Sequence, residues 1–212
     1  MQDSGALPFR TLRMSNRTIE FFWDSASPYT YLAATQIEDF ARKHDATVVW
    51  KPFLLGKAFE ATGNKPPAQI PAKGKYLFQD LRMWARLYGV PFRWPKVFPV
   101  ASLTSLRIAC ALPPAQVPVW AKAVMGAYWG QEQDIGQPEV LKAVAANLGW
   151  NGDELLAKAQ DPAIKDLLKA NTDEAIRRGV FGAPTFFIGE KMFWGNDRFE
   201  LMAALLDGKL AA

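Results

Sequence analysis

An α/β fold, with a four-stranded mixed sheet and a helical insertion, is predicted by three features of this 212-residue sequence. Strand-like segments lie near both ends of the chain, and the long middle region has none. The first two strand segments flank a helical segment, which predicts a parallel pair. The last two are separated by a tight turn, which predicts a hairpin.

The first half of the sheet is predicted within residues 18–56. Thr18–Asp24 is rich in aromatic and β-branched residues, which indicates a buried strand. Ser27-Pro28 is typical of a helix start, and apolar residues at helical spacing extend this helix to about His44. Ala46–Leu54 is the second strand, so the chain opens as a βαβ unit.

Residues 57–178 are predicted to form a helical insertion domain. A turn-rich connection follows Leu55, and the periodicity then predicts six helices. These helices are Lys75–Tyr88, Ser102–Leu112, Pro114–Trp129, Pro138–Leu148, Asp153–Ala159 and Ala163–Arg178.

The second half of the sheet is predicted within residues 179–212. Strands at Thr185–Ile188 and Lys191–Trp194 form the hairpin, and a last helix begins with a capping box of Asp197 and Glu200. The order βαβ, helical insertion, ββα is that of a thioredoxin-like fold. Residues 1–17 are predicted to be a flexible arm outside it.

Residue usage excludes several kinds of chemistry. Cys110 is the only cysteine, so dithiol exchange within one chain is impossible, and its apolar neighbours indicate a buried structural thiol. His44 is the only histidine, and we expect it in solvent at a helix end rather than acting as a base. Neither a zinc site nor a Ser-His-Asp triad has a supporting motif.

The charge and hydropathy of the sequence limit the kinds of partner that the protein is expected to bind. The net charge of +4 and pI near 9.2 favour anionic small molecules, whereas the basic residues are too scattered to predict nucleic-acid binding. No apolar run reaches the ~20 residues of a membrane span, and the first residues lack a secretory signal. We therefore expect a cytoplasmic protein without a membrane partner.

Ser27 lies between a strand and a helix, where its hydroxyl and the first free N–H groups of the helix face one point. Two interpretations are open. Ser27 can be a plain helix cap. It can also donate a hydrogen bond to the thiolate of a bound ligand, at the position where redox relatives carry a reactive cysteine. Ser25 and Ser27 stand where a dithiol oxidoreductase needs thiols, which disfavours that class.

Ala183-Pro184 stands at the head of the third predicted strand. A cis peptide bond there would leave the N–H and C=O groups of Ala183 free to pair with an extended peptide ligand. The alternative is a trans proline that opens an edge strand.

Gly195-Asn196-Asp197-Arg198 precedes the last helix. Its open N–H groups could bind a carboxylate, and Asp197 could pair with an ammonium group. The alternative is a plain Asp197 cap beside a surface Arg198.

Four ordered segments together carry a resemblance to a known family: FFWDSASPYTYLA, ATGNKPPAQIPAKGKY, FGAPTFF and WGNDRFELMAALL. They resemble the family of 2-hydroxychromene-2-carboxylate isomerases and kappa-class glutathione transferases, and the resemblance runs from Thr18 to Leu206. It implies a thioredoxin fold with a DsbA-like helical insertion. It also implies a homodimer and glutathione as the cofactor.

The resemblance implies roles for individual residues in the first half of the chain. Ser27 is similar to the family's catalytic serine, which hydrogen-bonds the glutathione sulfur. Tyr29 lies just beyond that serine and is expected to line the site. Asn64 is similar to an asparagine that contacts glutathione.

Further roles are implied near the end of the chain. Ala183, before Pro184, matches the residue whose backbone pairs with the cysteinyl part of glutathione. Asn196 and Asp197 match the pair that holds its γ-glutamyl end, which carries both a carboxylate and an ammonium group.

The activity implied by the resemblance is isomerisation of 2-hydroxychromene-2-carboxylate, an aromatic carboxylate of aromatic degradation, with catalytic glutathione. A kappa-type transferase and a non-catalytic glutathione-binding protein are the alternatives. Lys57 and Arg93 are candidates to bind the substrate carboxylate. Trp84, Phe98 and Trp129 could wall an aromatic pocket, although ordinary core packing is the favoured explanation for each of them.

Overall fold

The computed structural model describes residues 17–210, and its strands form one four-stranded sheet. The strands are β1 (Thr18–Trp23), β2 (Thr47–Pro52), β3 (Thr185–Ile188) and β4 (Lys191–Trp194), in the order β2-β1-β3-β4. β1 and β2 are parallel, whereas β3 is antiparallel to both β1 and β4. The predicted mixed sheet is confirmed. The predicted arm falls, except for Arg17, outside the described residues.

The helices within residues 17–210 are α1 (Pro28–Ala34), α2 (Ile37–Lys43), α3 (Leu55–Thr62), α4 (Pro71–Tyr88), α5 (Leu103–Ala111), α6 (Val117–Met125), α7 (Pro138–Asn147), α8 (Gly152–Lys158), α9 (Pro162–Arg177) and α10 (Phe199–Leu206). One helix was predicted over Pro114–Trp129. That region instead holds a 3₁₀ turn (Pro114–Gln116), α6 and a π-helical turn (Gly126–Gly130). None of the described helices is long and apolar enough to span a bilayer.

The sheet is covered on both faces because side chains of β1 alternate between them. Ile19, Phe21 and Trp23 face one core with α1, α2 and α6. Phe22 faces a second, smaller core, where it packs with Phe53 beneath α3 and α9. All five side chains are fully buried. The sheet is therefore a rigid platform at whose edge the loops after β1 and before β3 meet.

The helix predicted after Ser27 is two helices, α1 and α2. The Thr35 hydroxyl donates to the Leu32 carbonyl at 2.7 Å, and the Thr35 N–H is shared between the Tyr31 and Leu32 carbonyls. Such local bonds compete with regular helix bonding, which accounts for the break at Thr35 and Gln36.

The predicted turn-rich connection after Leu55 contains a helix, α3, and α4 begins four residues before its predicted start. The start of α3 is stabilised by distant side chains. The Leu54 N–H donates to Thr172 Oγ1 at 3.1 Å, and the Leu55 N–H donates to Asp24 Oδ2 at 2.9 Å. Gly63 ends α3 in the left-handed conformation, with φ of 68°. Local propensity does not reveal such caps.

The surroundings of Cys110 and His44 give both residues structural roles. Burial raises the pKa of the Cys110 thiol to about 12, so the thiol is protonated at neutral pH. His44 was predicted to be solvated, but its Nδ1 lies 3.0 Å from Asp207 Oδ1 and its ring packs on Phe40. This contact joins the end of α2 to the end of α10.

Candidate functional site

Ser27 is the N-cap of α1 and is 5% exposed. Its Oγ accepts the Thr30 N–H at 3.2 Å, as a cap does, and donates to the carbonyl oxygen of Ala183 at 2.9 Å. The plain-cap interpretation explains the first bond only. The second joins the start of α1 to the loop before β3.

The Ala183-Pro184 peptide bond is cis, as predicted. Ala183 is half-buried and lies directly against Ser27 through the 2.9 Å hydrogen bond. The Pro184 carbonyl accepts the Gly195 N–H at 3.0 Å, which connects this loop to the turn before α10. Ser27, Ala183 and the turn at Gly195 are therefore neighbours, although they lie far apart in the chain.

Asn64 lies in the exposed segment between α3 and α4, and it contacts the same loop. Its Nδ2 donates to the Phe181 carbonyl at 2.8 Å, and its Oδ1 accepts the Lys65 N–H. Phe181 is two residues before Ala183. The contact brings Asn64 to the neighbourhood of the other predicted site residues.

The turn before α10 differs from its prediction. The N-cap of α10 is Arg198, which makes no side-chain capping bond, so Asp197 and Glu200 do not form the predicted capping box. The Asp197 carboxylate instead pairs with Arg198 at 2.8 Å and is 43% exposed. Gly195 has φ of 113°, and a side chain there would collide with that carboxylate. The sharp turn thus directs Asp197 away from the capping position.

Asn196 is buried behind this turn, with 3% of its surface exposed. Its backbone carbonyl accepts the Tyr88 hydroxyl at 3.2 Å. Its Nδ2 is buried and has no acceptor among residues 17–210. A buried donor without a partner costs free energy, so an acceptor from a ligand would stabilise this position.

Tyr29 follows Ser27 on α1 and contacts α4 rather than standing free. Its hydroxyl donates to Asp80 Oδ2 at 2.6 Å. Burial, together with this carboxylate, raises the pKa of Tyr29 above its usual value, so the hydroxyl remains protonated. Burial, and to a lesser degree the charge of Asp197, raises the pKa of Tyr88 as well. Both hydroxyls are therefore protonated at neutral pH and can donate hydrogen bonds.

The candidate carboxylate-binding residues are already paired. Lys57 bonds to Glu60 at 2.7 Å, and Arg93 lies 3.6 Å from Glu132. Lys57 also lines a separate groove of about 690 Å³ between α3, α5 and α9, and none of the predicted glutathione-binding residues lines that groove. Within the described part of the chain, neither cationic side chain forms a hydrogen bond or ion pair with Ser27.

The candidate aromatic residues differ in exposure. Trp129 is fully buried, so it is a core residue, and its indole N–H donates to the Ser25 carbonyl at 2.9 Å. Phe98 is 36% exposed and packs on Trp94, which in turn contacts Trp129. Trp84 is half-buried against Tyr88. The hydrogen bond from Trp129 to Ser25 thus connects this aromatic group to the chain two residues before Ser27.

Sequence reasoning missed Asp24, which is 2% exposed and three residues before Ser27. Its two carboxylate oxygens accept the N–H groups of Ala26 and Leu55, both at 2.9 Å. The available signal was the charged residue at the end of an otherwise apolar strand segment, a position where a buried carboxylate needs fixed partners.

Comparison with known proteins shows the family and the fold of the chain. The DsbA-like thioredoxin domain family matches residues 18–207. The 2-hydroxychromene-2-carboxylate isomerase of Sphingobium xenophagum is 30% identical over 192 residues, which cover 90% of this chain and 98% of the isomerase. Human glutathione S-transferase kappa 1 is 30% identical over 208 residues, which cover 91% of this chain and 92% of the transferase. A solved 2-hydroxychromene-2-carboxylate isomerase superposes with a TM-score of 0.81 at 28% identity, covering 92% of this chain and all of that one.

Proposed function

This chain belongs to the family of DsbA-like thioredoxin domains, in the group of 2-hydroxychromene-2-carboxylate isomerases and kappa glutathione transferases, and we propose that it is a glutathione-dependent isomerase. The observation that carries the proposal is the hydrogen bond between Ser27 and Ala183. This bond joins a hydroxyl that can donate to a thiolate and a backbone carbonyl that can accept from the N–H of a peptide ligand.

The described residues fit glutathione, a thiol with a peptide backbone and a charged end. Ser27 offers a hydroxyl donor, and Ala183 offers a carbonyl beside a cis proline. Asn196 has a buried amide donor without a partner, and the carboxylate of Asp197 is partly exposed. These groups supply donors for the thiolate and the α-carboxylate, and acceptors for the ammonium group and an amide N–H of the γ-glutamyl-cysteinyl moiety. Asn64 contacts the same loop at Phe181, two residues before Ala183.

Bound glutathione supplies a thiolate that can add to an unsaturated carbon and leave again, so that isomerisation consumes none of it. Free thiols of this kind have a pKa of about 8.5, which leaves most of them protonated at neutral pH. The role of Ser27 is to donate a hydrogen bond to the sulfur, which favours the charged form. The N-terminal end of α1 adds partial positive charge at the same point.

The proposed substrate is a small aromatic carboxylate. Phe98 and Trp94 support an aromatic wall because they are partly exposed and rest on Trp129, which is bonded to Ser25. The net charge of +4 favours an anionic substrate. We keep 2-hydroxychromene-2-carboxylate as the first substrate to test, since the isomerase relatives carry that name.

Turnover at two glutathione concentrations distinguishes the functions. An isomerase converts many equivalents of 2-hydroxychromene-2-carboxylate with sub-stoichiometric glutathione, and the free thiol remains constant. A kappa-type transferase, the second candidate because of the human relative, consumes one thiol per 1-chloro-2,4-dinitrobenzene. A non-catalytic binding protein binds glutathione in calorimetry but accelerates neither reaction. Absence of glutathione binding would overturn the proposal.

We propose that the protein is a cytoplasmic homodimer. Tyr76, Met83 and Leu87 of α4 are exposed at positions i, i+7 and i+11, so they form an apolar stripe on one helix face. Sedimentation should give a mass near twice 23.6 kDa, and Leu87→Glu should shift it towards the monomer if this stripe is the interface. Fractionation of the source cells tests the compartment.

A further inference from the structure

Asp24 is a buried carboxylate whose hydrogen-bond partners are backbone N–H groups. Oδ1 accepts the Ala26 N–H and Oδ2 accepts the Leu55 N–H, both at 2.9 Å. None of the cations within residues 17–210 forms an ion pair with Asp24. Burying a carboxylate is costly unless its oxygens are satisfied, so these two donors have to be held in place.

The first oxygen of the carboxylate, Oδ1, stabilises the turn that contains Ser27. Oδ1 binds the N–H of Ala26, and the backbone carbonyl of Asp24 accepts the Ser27 N–H at 3.1 Å. The two bonds close the turn over residues 24–27 from both its side-chain and main-chain sides. The direction of the Ser27 hydroxyl, towards Ala183, follows from this turn.

The second oxygen of the carboxylate, Oδ2, caps the start of α3. The N-cap of α3, Leu54, has no side chain able to cap it, and Asp24 Oδ2 accepts the Leu55 N–H instead. α3 then leads to Asn64, whose amide contacts the Phe181 carbonyl two residues before Ala183. A single carboxylate therefore bonds to the two segments that carry Ser27 and Asn64, which contact the carbonyls of Ala183 and Phe181 in one loop.

We propose that Asp24 is a positioning residue of the glutathione site: it holds the Ser27 turn and the start of α3 in fixed relation. The proposal rests on the function proposed above. Both oxygens must be acceptors, because both face backbone N–H groups that cannot change roles. An asparagine at this position would turn an NH₂ group towards one of those N–H groups. The isosteric change Asp24→Asn therefore breaks one of the two connections. It also weakens the other, because the remaining oxygen loses its negative charge, and side-chain volume is unaltered.

The test compares Asp24→Asn with Thr172→Val. Thr172 belongs to α9 and, like Asp24, accepts a backbone N–H at the start of α3, which makes it a matched control. Thr172 Oγ1 accepts the Leu54 N–H, so this control weakens the start of α3 and leaves the turn at residues 24–27 intact. Amide hydrogen exchange is measured in both variants over residues 26–30 and 55–62. We expect Asp24→Asn to speed exchange in both segments by tenfold or more, and Thr172→Val in the second segment only.

A second readout is the titration of the thiol of bound glutathione, with turnover measured beside it. Asp24→Asn should raise the thiol pKa and lower kcat on the order of tenfold, as loss of one well-oriented hydrogen bond does. Thr172→Val should leave the thiol pKa unchanged and kcat within about twofold of the wild-type value. If Asp24→Asn does not fold, Asp24→Glu keeps both acceptor oxygens but displaces them by one methylene group, and we expect smaller changes in the same direction.

The outcomes separate the two proposals. If the wild-type protein does not bind glutathione, the proposed function fails, and the exchange data alone decide whether Asp24 holds both segments. The positioning role is overturned if Asp24→Asn leaves exchange at residues 26–30 unchanged. It is also overturned if the thiol titration of Asp24→Asn matches that of Thr172→Val, because Asp24 would then affect stability only.

Discussion

The Ser27 hydroxyl donates its hydrogen bond to the Ala183 carbonyl at 2.9 Å, across 156 positions of sequence. One hydroxyl has one proton to donate, so the same proton cannot serve a thiolate at the same time. The Ala183 carbonyl has a second lone pair, so a peptide N–H from a ligand can bind it beside the hydroxyl. Stabilisation of a thiolate by Ser27 therefore requires the hydroxyl proton to turn from Ala183 to the sulfur when glutathione binds.

The first prediction concerns Ser27→Ala. Loss of a hydrogen bond to a charged group costs roughly 1.5–3 kcal/mol, so turnover should fall on the order of tenfold to a hundredfold and the pKa of bound glutathione should rise. Thiolate absorbance followed against pH measures the titration. Some activity should remain, because the start of α1 still faces the sulfur.

Ser25→Ala is the matched control for Ser27→Ala. It removes a buried hydroxyl two residues away, whose partner is Ser105 Oγ at 2.9 Å. This variant should lose some stability and keep the thiol titration. A Ser27→Ala protein with an unshifted titration and full activity would reduce Ser27 to a helix cap.

The second prediction concerns Asp197→Asn. Because Asp197 does not cap α10, the free energy of unfolding should change little. Glutathione affinity should fall on the order of tenfold to a hundredfold if the carboxylate binds the ammonium group, since such a bond contributes roughly 1.5–3 kcal/mol. Isothermal calorimetry measures both the affinity and its loss.

The control for Asp197 uses a modified ligand and a neighbouring variant. Glutathione acetylated at its amino group should bind the wild type and Asp197→Asn equally weakly. Arg198→Gln removes the surface partner of Asp197 and should leave affinity near that of the wild type. Equal glutathione affinity in wild type and Asp197→Asn would contradict the assigned contact.

The third prediction is that Cys110 takes no part in the chemistry. Its pKa of about 12 keeps the thiol protonated, so the native protein should react with a disulfide reagent at pH 8 far more slowly than the protein unfolded in guanidinium. Cys110→Ala should keep wild-type turnover. Rapid modification of one thiol in the native state would show that the helix around Cys110 opens easily.

The fourth prediction concerns stability at low pH. Glu20 lies 2.6 Å from Lys51 and 2.7 Å from Arg178. Although partial burial opposes them, hydrogen bonds from these two cations hold the pKa of Glu20 below its usual 4.5. A lowered folded-state pKa means that ionised Glu20 stabilises the fold above pH ~4.5, and that this stabilisation disappears as the pH falls through the lower folded-state value.

Glu20→Gln measures this contribution. Urea unfolding should give about 0.5–1 kcal/mol less stability than the wild type at pH 7, because partly exposed ion pairs are screened by solvent, and a smaller difference near pH 3. Glu190→Gln, at an exposed residue without an ion pair in the described part of the chain, should change neither value. An equal loss at both pH values for Glu20→Gln would contradict the electrostatic explanation.

Local patterns in the sequence were enough to predict all four strands and most helices. Thr185–Ile188 and Lys191–Trp194 have the predicted bounds, because these short runs and the tight turn between them are local signals. Ser27 was predicted as a cap for the same reason, since Ser-Pro is a signal carried by adjacent residues.

What only the tertiary structure decided depends on partners that are distant in sequence. α3 was predicted as a connection, because its start is capped by Asp24 and Thr172 rather than by its own residues. Asp197 was predicted as a cap, but the positive φ of Gly195 and the neighbouring Arg198 take its carboxylate elsewhere. A pattern reports what a residue prefers among its neighbours in the chain, whereas the hydrogen bonds of Asp24 exist only once three separate elements have packed together.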